Sequence, residues 1–133
     1  MKKYLLIASI SGAMAVMMGA LGAHKLASII DSYSLQVFNK AVFYQFIHTL
    51  LLMVIVMFNS SSRFLFYSAR FIVAGIVLFS GSLYLLSLKS FLNSSIISIL
   101  GPLTPVGGVC FILSWLTISL YCVKEYKNTK GTL

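Results

Sequence analysis

Apolar residues in this chain come in long unbroken runs separated by short polar breaks. The first run extends from about Tyr4 to Leu26, behind Lys2 and Lys3. The second extends from about Ala41 to Phe58, the third from Phe71 to Leu88, and the fourth from Thr104 to Val123, with a polar tail from Lys124 to Leu133. Unbroken runs of about 20 residues match α-helices that cross a membrane. Transmembrane β-strands would instead alternate in polarity. The pattern predicts an all-α integral membrane protein: one membrane domain over residues 1–133, with four transmembrane helices in an antiparallel up-down bundle. Between the first two runs, Asp31 to Lys40 is polar, but Leu35, Phe38 and Val42 recur at helical spacing. This stretch is read as a short interfacial helix, or as a polar extension of the second span. Asn59-Ser60-Ser61-Ser62-Arg63 has turn composition. Lys89 to Gly101 is a semi-apolar connection, and Pro102 and Pro105 bracket the entry to the fourth span, where a first helical turn tolerates proline.

The first run could be mistaken for a secretory signal, since it has a basic start and Ala20-Leu21-Gly22 resembles a cleavage site. It is longer than the apolar core of a signal peptide. It also carries a packing pattern. Ser11, Ala15, Gly19 and Ala23 recur every fourth residue, with Ala8, Gly12 and Ala20 beside them. Small residues at this spacing let membrane helices approach closely.

Composition strengthens this reading. Hydrophobic residues make up 59% of the 133 residues and charged residues 9%, against about 25% charged in a soluble domain. The formal charge of +8 does not point to nucleic acid, because the basic residues stand singly or in pairs at the ends of the apolar runs. No basic stripe with interleaved stacking aromatics is present. With four spans, Lys2, Lys3, Arg63, Arg70, Lys124, Lys127 and Lys130 share one side, and only Lys25, Lys40 and Lys89 lie on the other. The positive-inside rule then places both termini in the cytoplasm. The only carboxylates, Asp31 and Glu125, both fall outside the apolar runs, whereas coupled transporters keep acidic groups within the membrane. Cys110 and Cys122 share the fourth run, are too far apart to pair within one helix, and are read as packing residues.

The polar residues inside the apolar runs are the informative ones, because a polar group in lipid needs a partner. Tyr44, Gln45, His48 and Thr49 share one face of the second helix by their three- and four-residue spacing. By topology they lie in the outer half of the membrane, the level of His24, of Ser80, Ser82 and Tyr84, and of Thr104. These residues are expected to form one polar cluster that fixes helix order. Gly12, Gly19, Gly22, Gly81, Gly107 and Gly108 are expected to serve close helix packing or backbone approach.

Four stretches carry a family likeness: Gly19-Ala20-Leu21-Gly22-Ala23-His24, Tyr44-Gln45-x-x-His48-Thr49-Leu50, Leu78-Phe79-Ser80-Gly81-Ser82-Leu83-Tyr84, and Thr104-Pro105-Val106-Gly107-Gly108. In that order the chain resembles the YgdD/YwdK-like small bacterial membrane proteins, a family of unknown function with distant eukaryotic relatives. The resemblance implies a multi-pass protein of the bacterial cytoplasmic membrane. It implies no activity, substrate or catalytic residue.

A metal site built from His24, His48 and Asp31 lacks the usual ligand spacing. Ser80 or Ser82 with His48 would give two parts of a catalytic triad, with no carboxylate to orient the imidazole. No metal, cofactor or catalytic residue is therefore expected. The sequence favours a non-enzymatic accessory or structural component of a larger membrane complex. The alternative is a small-molecule, lipid or metal binding module that uses the outer polar cluster, with Gly107-Gly108 offering backbone N–H groups to an anion. The expected partners are the lipid bilayer and other membrane proteins or further copies of the chain. Nucleic acid is not among them.

Overall fold

A computed structural model describes residues 2–58, 61–91 and 94–130, with the backbone alone over 94–99. The first two residues of the predicted turn, Asn59 and Ser60, lie outside the described residues, as do residues 92–93 of the predicted connection and the last three of the tail. The chain forms α1 (Lys2–His24), a 3₁₀ turn (Leu26–Ser28), α2 (Ser32–Met57), α3 (Arg63–Gly75), a π-helical turn (Ile76–Ser80), α4 (Gly81–Ser87), a 3₁₀ turn (Lys89–Phe91) and α5 (Ser94–Lys130). No strand occurs among the described residues. The α3–π–α4 segment is one continuous rod. With α1, α2 and α5 it makes four helices long and apolar enough to cross a membrane.

The helices run past the apolar cores that predicted them. No separate interfacial helix stands between the first two spans. Residues 32–40 are the opening turns of α2, so the alternative of a polar extension describes them. The cause is the N-cap. Asp31 has extended backbone, and its carboxylate accepts the Ser34 backbone N–H at 3.0 Å and the Ser34 hydroxyl at 2.6 Å. That cap satisfies amides that a helix start leaves open. Pro102 and Pro105 likewise do not open the fourth helix. α5 begins at Ser94, and both prolines lie inside it. Each removes one intrahelical hydrogen bond, a loss that helices within membrane bundles tolerate.

The Asp31 cap gives the first prediction. Its two hydrogen bonds from Ser34 hold the carboxyl below the ordinary carboxylate range, with a smaller contribution from the charge of Lys89. A folded value below the unfolded one means the stabilisation is complete above the ordinary carboxylate pKa and disappears as pH falls through the lowered value. Asp31→Ala is therefore expected to speed amide exchange over residues 32–35 at neutral pH. Acidifying wild type below the carboxylate range should produce the same change. Equal protection in variant and wild type at pH 7 would contradict the cap.

α1 packs on α2 in opposite directions. Ser11 meets Thr49, a Cβ on Gly19 would touch Val42 at 3.5 Å, and one on Gly22 would meet Phe38 at 3.0 Å. The buried strip of α1 is Tyr4, Ala8, Ser11, Ala15 and Gly22, with steps of four, three, four and then seven residues, or two turns. Ala20 and Ala23 face outward, so the strict fourth-residue strip is corrected. A straight helix turns 3.6 residues per turn, so a strict four-step row drifts off the contact face.

α3–π–α4 runs against α5, also in opposite register, with Ser68 at Ser114, Phe79 at Gly107 and Ser82 at Thr104. A Cβ on Gly75 would sit 2.4 Å from the Phe111 ring. The two helix pairs join through α2 and through a core of Tyr4, Ala8, Leu52, Ile55, Leu65, Ala69 and Ile72. Tyr4 meets Phe66 edge to face at 6.0 Å. This core lies at the end of the bundle where α1 starts and α5 finishes. Lys124 lies beside Arg63 at that same end.

Candidate functional site

Three local networks stand where the sequence suggested one cluster. The first is a chain of hydrogen bonds across three helices. The Tyr84 hydroxyl donates to Gln45 Oε1 at 2.7 Å. Gln45 Nε2 donates to the Ser11 carbonyl at 3.0 Å, with the Ser11 hydroxyl at 3.4 Å. Ser11 Oγ and Thr49 Oγ1 share a bond of 2.7 Å. The amide orientation follows from the partners, since the Ser11 carbonyl can only accept. Gln45, Thr49 and Ser11 are buried. The helix geometry is simple. Gln45 and Thr49 are one turn apart on α2, and Ser11 is the small residue of α1 opposite them.

The second network is aromatic. His48 Nδ1 lies 2.8 Å from the Tyr44 carbonyl one turn back. A carbonyl only accepts, so Nδ1 carries the proton, and in the neutral imidazole Nε2 is then the acceptor. The imidazole stacks on Phe111 with centroids 3.5 Å apart. Tyr44 stacks beyond it and tilts against Phe79 at 4.7 Å. Tyr44, His48, Phe79, Gly108, Phe111, Ile112 and Trp115 border a cleft of about 320 Å³ between α2 and α5.

The third network is small. Ser82 Oγ bonds Thr104 Oγ1 at 2.7 Å and donates to the Phe79 carbonyl at 3.0 Å. Ser80 lies beside it, buried, and its hydroxyl has no partner among the described residues. The Ser68–Ser114 pair, 3.0 Å between hydroxyls, repeats the same kind of contact further along α3 and α5.

His24 joins none of these networks. It ends α1 and is exposed. The α1–α2 register sets it about 18 Å from the His48 level along the helix axis. Among the described residues, no three His, Cys, Asp or Glu side chains are grouped to hold a metal ion. The glycines also divide. Gly12, Gly19 and Gly22 face α2 side chains, and Gly107 faces backbone: a Cβ there would lie 2.3 Å from Phe79 N. Gly108 has only the Phe79 ring at 3.8 Å, and nothing lies within 4 Å of a Cβ on Gly81. The packing role expected for Gly81 is corrected accordingly.

Sequence reasoning missed Ser11 as a hydrogen-bonding residue, although it stood in the small-residue pattern. It also missed Phe79 and Phe111, which look like any other apolar residue until α5 is docked.

A family model described as "Protein of unknown function (DUF423)" matches residues 18–108. The chain is 41% identical over 127 residues to the UPF0382 membrane protein YwdK of Bacillus subtilis, covering 93% of this chain and 98% of that protein. It is 38% identical over 125 residues to a UPF0382 membrane protein of Staphylococcus aureus, with the same coverage of 93% and 98%. A UPF0382 membrane protein of Staphylococcus epidermidis is 35% identical over 125 residues, again with 93% and 98% covered. No solved structure matches.

Proposed function

From the premise that this chain belongs to the DUF423 family of membrane proteins of unknown function, we propose that it is a non-enzymatic accessory or structural component of a larger membrane complex. The observation that supports this is the closed Tyr84–Gln45–Ser11–Thr49 chain, whose polar side chains satisfy one another between helices. Such a network acts as glue, worth roughly 0.6 kcal/mol per bond within a membrane. The remaining chemistry points the same way. Ser82 is bound to Thr104 and to backbone. The imidazole of His48 is tied to the Tyr44 carbonyl, and no carboxylate among the described residues is hydrogen-bonded to it. The outer faces carry large apolar side chains such as Leu6, Met17, Phe58 and Val77, suited to lipid and to other membrane helices. The basic residues at the end where α1 starts and α5 finishes support an orientation with that end on the cytoplasmic side of the bacterial plasma membrane.

The test is native mass spectrometry of the protein released gently from its own membrane. The expected mass is that of the chain with other polypeptides or with further copies of itself. A monomer carrying a stoichiometric metal, haem or quinone would overturn the reading. One observation favours a second reading, a small-molecule site. His48 Nε2 has no partner among the described residues and belongs to the aromatic cleft. A His48→Ala protein with wild-type melting and a lost bound mass would select that reading. A large fall in melting temperature with an unchanged mass would select the structural one.

A further inference from the structure

We propose that the groove between α1 and the α3–π–α4 rod binds an anionic glycerophospholipid, its acyl chain in the groove and its phosphate between Lys3 and Arg70. The inference rests on the groove itself and is independent of the accessory reading.

The groove exists because α1 packs chiefly on α2. It touches α3 at Tyr4–Phe66 and reaches α4 through the Gln45–Tyr84 bridge. Between these points two hollows follow one another. The first, about 550 Å³, opens at the end of the bundle where α1 starts and is bordered by Lys3, Tyr4 and Arg70. The second, about 380 Å³, ends at Ser11, Gln45, Gly81 and Tyr84. Ile7, Val73 and Val77 border both, so the two adjoin along the groove.

Three features select the occupant. The walls are apolar and face the bilayer, which favours a hydrocarbon chain over a soluble anion. From Arg70 to Gly81 the helix rises about 16 Å, close to half of the roughly 30 Å hydrocarbon core. That is the reach of an acyl chain within one leaflet. The mouth is cationic. Lys3 Nζ lies 5.3 Å over the Tyr4 ring and the Arg70 guanidinium 5.6 Å over the Phe66 ring. Neither is paired with a carboxylate among the described residues, and Asp31 is occupied at the opposite end of α2. Arg70 leans back one turn over Phe66, the snorkelling direction for a headgroup level with the start of α3. Basic pockets between membrane helices are the expected setting for anionic headgroups. Gly81 closes the case for the deep end: no atom lies within 4 Å of a Cβ there, so its missing side chain leaves groove open rather than permitting a helix contact.

The test is native mass spectrometry of the full chain in detergent micelles holding equal amounts of phosphatidylglycerol and phosphatidylcholine with identical acyl chains. Wild type is expected to retain phosphatidylglycerol roughly thirtyfold over phosphatidylcholine, from about a fivefold factor per basic side chain near the headgroup. Lys3→Gln with Arg70→Gln should bring the ratio close to one. Lys25→Gln with Lys40→Gln, at the other end, should leave it unchanged. Gly81→Leu should lower retention of both lipids while its melting temperature in lipid-free detergent stays at the wild-type value. Parity in wild type, a ratio that survives loss of Lys3 and Arg70, or one that falls equally on loss of Lys25 and Lys40 overturns the proposal. So does Gly81→Leu retaining both lipids like wild type. If the Lys3 and Arg70 variant melts below wild type, the wild-type ratio and Gly81→Leu still decide the question.

Discussion

Replacing Gly107 with valine is expected to leave little or no folded protein. A Cβ at this position would lie 2.3 Å from Phe79 N and 2.7 Å from Phe79 Cα and Cβ. N and Cα are main-chain atoms of the π turn, held on both sides by α3 and α4, and Cβ is fixed to them, so no rotamer change relieves the overlap. The two rods would have to separate, breaking the Ser82–Thr104 and Ser68–Ser114 contacts on either side. Overpacking of this kind costs about 3 kcal/mol or more, a large share of the roughly 5–15 kcal/mol that separates folded from unfolded protein. The neighbours make the controls. Gly108→Ala meets only the Phe79 ring at 3.8 Å, and Gly81→Ala meets nothing within 4 Å. Both should be neutral, or stabilising by up to about 1 kcal/mol through helix propensity. Gly75→Ala should fall between these extremes, since what it meets is the Phe111 ring, a side chain that can move but is stacked on His48. Folded yield by size exclusion and thermal melting in one detergent measure the series. A Gly107→Val protein that melts within a few degrees of wild type would refute the backbone contact.

The second large effect is expected at Gln45. Gln45→Leu keeps nearly the same volume but removes the amide that ties α4 to α1 through α2. The Tyr84 hydroxyl then loses its acceptor and Ser11 loses a donor. A single membrane hydrogen bond contributes about 0.6 kcal/mol, but stranding buried partners costs about 1–3 kcal/mol each. The loss should therefore be about 2–3 kcal/mol, with Tyr84→Phe nearer 1. The double variant should lose less than the sum, with a coupling of at least about 0.5 kcal/mol. Ser80→Ala should behave in the opposite sense. Its hydroxyl is buried without a partner among the described residues, so removing it should be neutral or raise the melting temperature. A Gln45→Leu protein that melts above wild type would show that the network is not stabilising.

The long apolar runs and the charge deficit made the class legible, because insertion into a bilayer depends on composition over a window and not on partners. Leu35, Phe38 and Val42 at helical spacing predict helix after Asp31, but a short interfacial helix and an extension of the second span read alike there, and the Asp31 cap on Ser34 decides for the extension. The prolines misled, since the rule for soluble helix starts weighs the lost hydrogen bond more heavily than a membrane bundle does. Extended helix through Pro102 and Pro105 is a consequence of the whole bundle and not of their neighbours.

From residue order alone follow an all-helical membrane protein with four spans, a family likeness, and the need of Gln45, His48 and Thr49 for partners. Those are properties of single segments, written in length, hydropathy and helical period. The docking of the helices decided that Ser11 and Tyr84 answer Gln45 and that His24 stands apart. It also decided that Gly107 presses on backbone while Gly81 faces open space. Adjacent glycines have the same local signature. What separates them is the register and rotation at which one helix docks on another, and that register is set by the combined fit of Ser68 to Ser114, Gly75 to Phe111 and Ser82 to Thr104.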